Sequence, residues 1–297
     1  MTNIAHLGDT WPGFSKIEHL VVFGASYCDV GYNAKAPHPT PEKPLGVDFP
    51  GQTWCGHPDE TNKSFIFEPN WVGHLVELVR EQRNGSTVLV YDYALGGDRV
   101  DGVKRQIHED FLPSLAPKPD WAPWTSSDTL FITWIGINDC GYMADCPEWL
   151  ELTDESVSQL FILFEQVYDA GGRNFCFIDV PPTQNFPSTH PGPCKCTLRE
   201  TIHAWNDSLR EAAETFHAKH PDTTVVIWSA WKLFTELLAD PVSFGFGPEE
   251  AAKEEGQIFE DGLHPTTSVH RLIARNLLEF LSSIDTANQS EALAAGQ

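Results

Sequence analysis

His19-Leu20-Val21-Val22-Phe23-Gly24-Ala25-Ser26 is an apolar run that stops at a glycine turn and then presents a hydroxyl. A run this short, without polar alternation, reads as a strand buried on both faces, the mark of a parallel sheet covered by helices. Four further runs share its character: Val88–Tyr93, Leu130–Trp134, Phe175–Val180 and Val225–Trp228. Helical segments separate them. Asn70 is placed to cap Trp71–Glu81, and Thr153 or Asp154 to cap Val157–Ala170, with Gly171 closing that helix. Thr197–Lys219 is long and amphipathic, its Trp205, Leu209, Ala212 and Phe216 falling on one core-facing stripe. The alternation predicts one α/β domain over residues 1–283 around a five-stranded parallel sheet, with residues 284–297, rich in Ala, Gln and Glu, as a disordered tail.

Three irregular stretches interrupt this pattern, at residues 32–69, 113–128 and 181–196. Loops of this length usually carry function, and in a doubly wound sheet ligands lie beyond the carboxyl ends of the strands. All three are therefore expected to converge there and wall a substrate cleft. Trp54, Trp121 and Trp124 within them are the candidate substrate-binding residues.

Composition narrows the partners. With 42 acidic against 19 basic residues the formal charge is -23, which repels phosphate backbones and anionic lipid surfaces, so neither nucleic acid nor membrane is an expected partner. No apolar stretch reaches the length of a membrane span, and Met1 to Phe14 lacks the apolar core of an export signal. The chain as written is thus expected to carry no signal, with its compartment and oligomeric state left open. Seven cysteines leave at least one thiol free in a monomer; Cys140 with Cys146, or Cys194 or Cys196 with another partner, are possible loop disulfides, while Cys28 and Cys176 read as small buried apolar side chains. Asn62, Asn84, Asn206 and Asn288 each open an Asn-x-Ser sequon, which matters only for a secreted chain. His108, His190, His203, His217, His220 and His270 show no metal-ligand spacing and are expected at the surface or at helix caps, and the Glu249-Glu250 and Glu254-Glu255 pairs read as a solvated helical face. No metal and no cofactor are expected.

The chemistry-bearing residues sit at strand ends. Ser26 follows the first strand, Gly96-Gly97-Asp98 the second and Gly136-Ile137-Asn138-Asp139 the third, while Asp261-Gly262-Leu263-His264-Pro265 precedes the last helical stretch. An Asp three residues before a His supplies an imidazole base and the carboxylate that orients it. The amides of Ser26 and Gly97 and the side chain of Asn138 supply donors for an oxyanion. Asp29, Asp98 and Asp139 each follow a motif closely and are expected to hydrogen-bond behind it.

These four blocks, in this order, resemble the SGNH or GDSL hydrolase superfamily. The flanking residues Tyr27 to Asn33, Trp134 to Asp139, Asn174 to Pro182 and His264 to Ala274 look most like the fungal acetylesterases of carbohydrate esterase family sixteen, and the likeness runs from Gly13 to Leu278. The resemblance implies a flavodoxin-like three-layer α/β/α sandwich. It also implies metal-independent hydrolysis of carboxylic esters, often acetyl esters on sugars, with Ser26, Asp261 and His264 catalytic and Ser26, Gly97 and Asn138 as the oxyanion hole. One position departs from the family: Ala25 stands where an Asp usually precedes the serine. A small-molecule ester, such as an acetylated saccharide, is the expected partner. Two other readings share the residues: an acyltransferase or cyclase that delivers the acyl group to an acceptor other than water, and a carbohydrate-binding protein using Trp54, Trp121, Trp124 and Trp149.

Overall fold

The computed structural model describes residues 1–8, 11–189 and 193–295, with side chains described over 1–8, 11–189 and 197–284. In chain order the strands are β1 (Ile4–His6), β2 (His19–Gly24), β3 (Gly56–Asp59), β4 (Ser64–Phe67), β5 (Leu89–Asp92), β6 (Thr129–Trp134), β7 (Asn174–Ile178) and β8 (Thr224–Trp228). The main helices are α1 (Trp71–Gln82), α2 (Val100–Arg105), α3 (Leu112–Ser114), α4 (Ile137–Met143), α5 (Trp149–Asp169), α6 (Pro193–Lys219), α7 (Ala230–Ala239) and α8 (Thr267–Ala295).

The five expected strands are β2, β5, β6, β7 and β8, and every pairing among them is parallel. The sheet has a sixth member. Its order is β1-β8-β7-β6-β2-β5, and β1 lies antiparallel on β8 as an edge of three residues, too short to carry a periodic signature. Strands β2, β6, β7 and β8 are buried at every position, which their continuous apolar runs require of a sheet covered on both faces. Helix α1 packs against α8, while α5 packs against α6 and α2. Among the described residues no helix is long and apolar enough to cross a membrane.

Asn70 caps α1 as expected, its side chain accepting from the amides of Val72 and Gly73. Helix α5 begins earlier than its expected cap, at Trp149, and Thr153 lies inside it with its hydroxyl donating to the Trp149 carbonyl. A buried Thr can satisfy its hydroxyl one turn back, so its capping preference is overridden. Gly171 does close α5, at φ 108°. The backbone of α8 continues through the expected tail to Ala295; Ala, Leu, Glu and Gln are strong helix formers, and Ile284 is its last described core contact.

The irregular stretches divide between two edges of the sheet. Residues 32–69 follow β2 and contain the antiparallel hairpin β3–β4, a second small sheet outside the main one. The described part of 181–196 follows β7, and the Ser188 amide donates to the Gly262 carbonyl at 3.2 Å. Residues 113–128 instead lead into β6, and the Asp128 carbonyl accepts from the amides of Glu18 and His19 at the start of β2. That stretch lies at the amino edge. A segment running from a helix into the next parallel strand has to end there, so it cannot wall a cleft at the carboxyl edge.

Among the described residues Cys28, Cys55, Cys140, Cys146 and Cys176 are free thiols, so Cys140 and Cys146 are not bridged. The side chains of Cys194 and Cys196, and all of His190, fall outside the described residues. Asn206 is fully buried and bonds both the amide and the carbonyl of Val180, so this fold leaves no room for a glycan on it. His270 and Glu250 are also buried, against the expectation of a surface: the Tyr27 ring packs edge-on to His270, and Glu250 accepts from the Gln257 amide at 2.6 Å.

Candidate active site

Strand β2 lies between β5 and β6, so the turns that follow these three strands are neighbours at one edge. Ser26 sits in the first, Gly97 in the second and Asn138 in the third. The Ser26 turn closes on itself, the Ala25 carbonyl accepting from the amides of Cys28 and Asp29. Its approach is braced by Gln106, fully buried, which accepts from the Gly24 amide at 3.0 Å and donates to the Gly24 carbonyl at 2.8 Å. Gln106 opens a π-helical stretch, Gln106–Phe111, between α2 and α3. Such bulges recur at functional sites because they re-aim a side chain. Here one glutamine holds the strand end that precedes Ala25, giving the turn a support that does not need an acid at that position.

His264 comes from the other end of the chain. The Phe259–Pro265 bridge and the Glu260 amide, which donates to the His264 carbonyl at 2.8 Å, close its loop. The Tyr27 hydroxyl donates to the Leu263 carbonyl at 2.5 Å and ties that loop to the serine turn. His264 Nδ1 lies 2.7 Å from Asp261 Oδ2, and Nε2 lies 3.0 Å from Ser26 Oγ. An ionised carboxylate only accepts, so Nδ1 carries the proton and Nε2 turns its lone pair toward the serine hydroxyl. Asp261 Oδ1 also accepts from the amides of Leu263 and His264. Partial burial pushes the Asp261 carboxyl up, but the amide, the ring N–H and the charge of His264 pull harder, and it lies below its ordinary value.

The donors stand at the same edge. Gly97 adopts φ 82°, and a methyl group placed on it would meet nothing within 4 Å, so the side of its α-carbon where a side chain would stand is open. Asn138 donates through Nδ2 to the Asp98 carbonyl at 2.9 Å, linking the turn after β6 to the turn after β5. An amide nitrogen has two hydrogens, and the second remains for a ligand. Asp98 is gripped by Arg105 and, at 2.8 Å, by Gln106 Nε2. Asp139 accepts from the Val100 amide at 3.1 Å, and burial pushes its carboxyl up to about 6.

The three tryptophans part company. Trp54 stands over the site, its ring stacked on His264 at a centroid distance of 5.0 Å and an interplanar angle of 23°. Trp124 is fully buried at the amino edge, donating to the Leu115 carbonyl and packing edge-on against Phe131. Trp121 stacks on His38 and lies against Tyr91. Neither reaches the serine. Asp29 organises the edge more than its place in the sequence suggests: Oδ1 accepts from Gly31, and Oδ2 accepts from both Gly96 and the Trp54 indole. The only sequence signal for this is its spacing three residues after the serine.

The arrangement has the parts acyl transfer needs: a hydroxyl hydrogen-bonded to a base, the base oriented by a carboxylate, and amide donors beside them. The model of the GDSL-like lipase/acylhydrolase family matches residues 20–277, and the chain belongs to that family; it is a serine carboxylic-ester hydrolase. It is 29% identical over 276 residues to an acetylesterase of Thermothelomyces thermophilus, covering 87% of this chain and 86% of that protein. A GDSL esterase/lipase of Arabidopsis thaliana is 21% identical over 161 residues, covering 46% of this chain and 44% of its own length. Among solved structures, an acetylxylan esterase from Geobacillus stearothermophilus matches at a TM-score of 0.54 and 17% identity, over 89% of this chain and 94% of that one, and shares its fold.

Proposed function

We propose that this enzyme removes short acyl groups, acetyl above all, from hydroxyls of sugars or small natural products through an acyl-serine intermediate. The observation that carries the reading is the unbroken line from Ser26 Oγ through His264 to Asp261, at 3.0 and 2.7 Å. Both distances are within reach for proton transfer. Ser26 Oγ attacks the ester carbonyl while its proton passes to His264 Nε2. Asp261 holds the ring in the tautomer that can accept it. The oxygen that becomes negative rests on the amides of Ser26 and Gly97 and on Asn138 Nδ2. His264 then gives its proton to the departing alcohol, and a water activated by the same ring cleaves the acyl-enzyme. The names of the relatives, an acetylesterase and an acetylxylan esterase, support acetate as the acyl group and a saccharide as the alcohol.

A panel of p-nitrophenyl esters of increasing acyl length, assayed beside acetylated xylo-oligosaccharides, tests this. A sharp preference for acetate with release of acetate from the oligosaccharides is expected. A preference for long acyl chains, or transfer to an added alcohol in place of water, would overturn it.

A further inference from the structure

The proton-transfer line uses the edge of the His264 ring; its face is taken by Trp54. At 47% relative exposure Trp54 gains only part of the burial that normally holds an indole in place, and it is fixed by other means. Its Nε1–H donates to Asp29 Oδ2 at 3.3 Å, and the same oxygen accepts from the Gly96 amide at 2.8 Å. A β-carbon on Gly96 would lie 2.3 Å from Trp54 Cζ2, so only glycine lets the indole lie against that turn. The Asn70 side chain donates to the Asp29 carbonyl at 3.0 Å and anchors the latch to the start of α1. A half-exposed aromatic latched to a buried carboxylate, with its face on the base, is built to act on that base.

We propose that Trp54, latched by Asp29, is a positioning residue for ester cleavage: it holds the His264 ring and stabilises the imidazolium that the ring becomes on taking the Ser26 proton. The proposal rests on the reading of His264 as the base. As the Ser26 Oγ to carbon bond forms, the hydroxyl proton moves onto the Nε2 lone pair and the carbonyl π pair moves onto oxygen. The ring is cationic from that step until the alcohol leaves with the proton. An aromatic face attracts a cation more strongly than a neutral ring, so the contact strengthens as the transition state is approached. The Asp29 carboxylate at the N–H edge of the indole adds to the same field.

The other groups around His264 are Asp261 on its own loop with Glu260 beside it, Ser26 and Tyr27 from the β2 turn, and His270 from α8. Of these only Ser26 changes, in the titration alone and identically in every variant compared there. Trp54→Leu keeps an apolar cover without a π face, with Trp54→Met in its place should the leucine variant not fold, and Trp54→Phe keeps the face without the N–H. In a Ser26→Ala background, a proton NMR titration of the His264 ring reads its pKa without turnover. The leucine variant is expected to titrate at lower pH than the protein with Trp54, the phenylalanine variant less than half as far. With Ser26 restored, the leucine variant loses kcat about 3- to 10-fold, its acid limb moves down with the titration, and KM stays within about twofold. A titration that rises or does not move would overturn the proposal, as would a loss confined to KM, which marks a sugar-stacking surface. Full turnover in Ser26→Ala or His264→Ala would instead refute the triad itself.

Discussion

Residues 32–69 and residues 113–128 look alike as text, each a proline-rich break between apolar segments with tryptophan in it. The first leaves β2 and places Trp54 on His264; the second enters β6 and buries Trp124 among Phe111, Phe131 and Lys118. The difference is one of attachment. In a parallel sheet a segment that leaves a strand starts at the carboxyl edge, and one that enters a strand ends at the amino edge. Reactive groups can gather at the first edge because neighbouring turns open there together, whereas the second serves packing. A tryptophan at one edge is therefore expected to matter for rate, and at the other for stability.

The largest effect that tests this division belongs to Ser26→Ala, which is expected to lower kcat on p-nitrophenyl acetate by on the order of 10⁴–10⁶ while leaving the Tm where it was. A drop in Tm with turnover retained would break the contrast at its centre. Trp124→Ala should do the reverse, costing about 3 to 5 kcal/mol in a denaturant titration because it empties a fully packed site. The folded fraction should keep its KM; a change there would put residues 113–128 back at the cleft. Asn138→Ala is expected to reduce kcat by about 10²–10³ with KM little changed, and equal losses in affinity would assign Asn138 to substrate binding.

The smallest effect concerns pH. Burial raises the folded-state carboxyl of Asp139 to about 6 from an ordinary 3.8, and Oδ2 has no hydrogen-bond partner among the described residues. A raised acid binds its proton more tightly in the folded state. Its contribution is therefore complete below the unfolded value and is lost as pH rises through about 6. Asp179, buried at the end of β7 and also raised to about 6, has the same sign. The contributions of Asp139 and Asp179 should thus decline between roughly pH 4 and pH 6, while the buried imidazoles of His74 and His270, pushed down to about 4 and about 3, contribute the opposite slope, and Asp139→Asn should remove its own share of the decline in thermal melts. An unchanged slope in the variant would show that Asp139 is ionised without cost, through solvent or a partner.

Much of the architecture was legible beforehand because its causes are local. Five apolar runs bounded by turn residues can bury themselves in one way, and Asn70 announced the helix it caps. The catalytic candidates were legible for a similar reason: Asp261 and His264 are close in sequence, and Ser26, Gly97 and Asn138 each follow a recognisable strand. What escaped was either too short, as with β1, or depended on the far side of a contact. The burial of His270 and the brace of Gln106 on Gly24 leave no mark in their own neighbourhoods, and the place of Asp29 after the serine does not point to its partner Trp54.

By itself, then, the order of residues determined which segments become strands and which side chains are the candidates for nucleophile, base and carboxylate, since periodicity and short spacings act within a few residues. The folded molecule alone decided how those parts meet. Ser26 and His264 are brought to 3.0 Å across 238 positions, and only the packing of β2 between β5 and β6, with Tyr27 clasping the histidine loop, closes that separation. Hydrogen bonds reach about 3 Å, so whether distant groups form one depends on packing that no local pattern encodes.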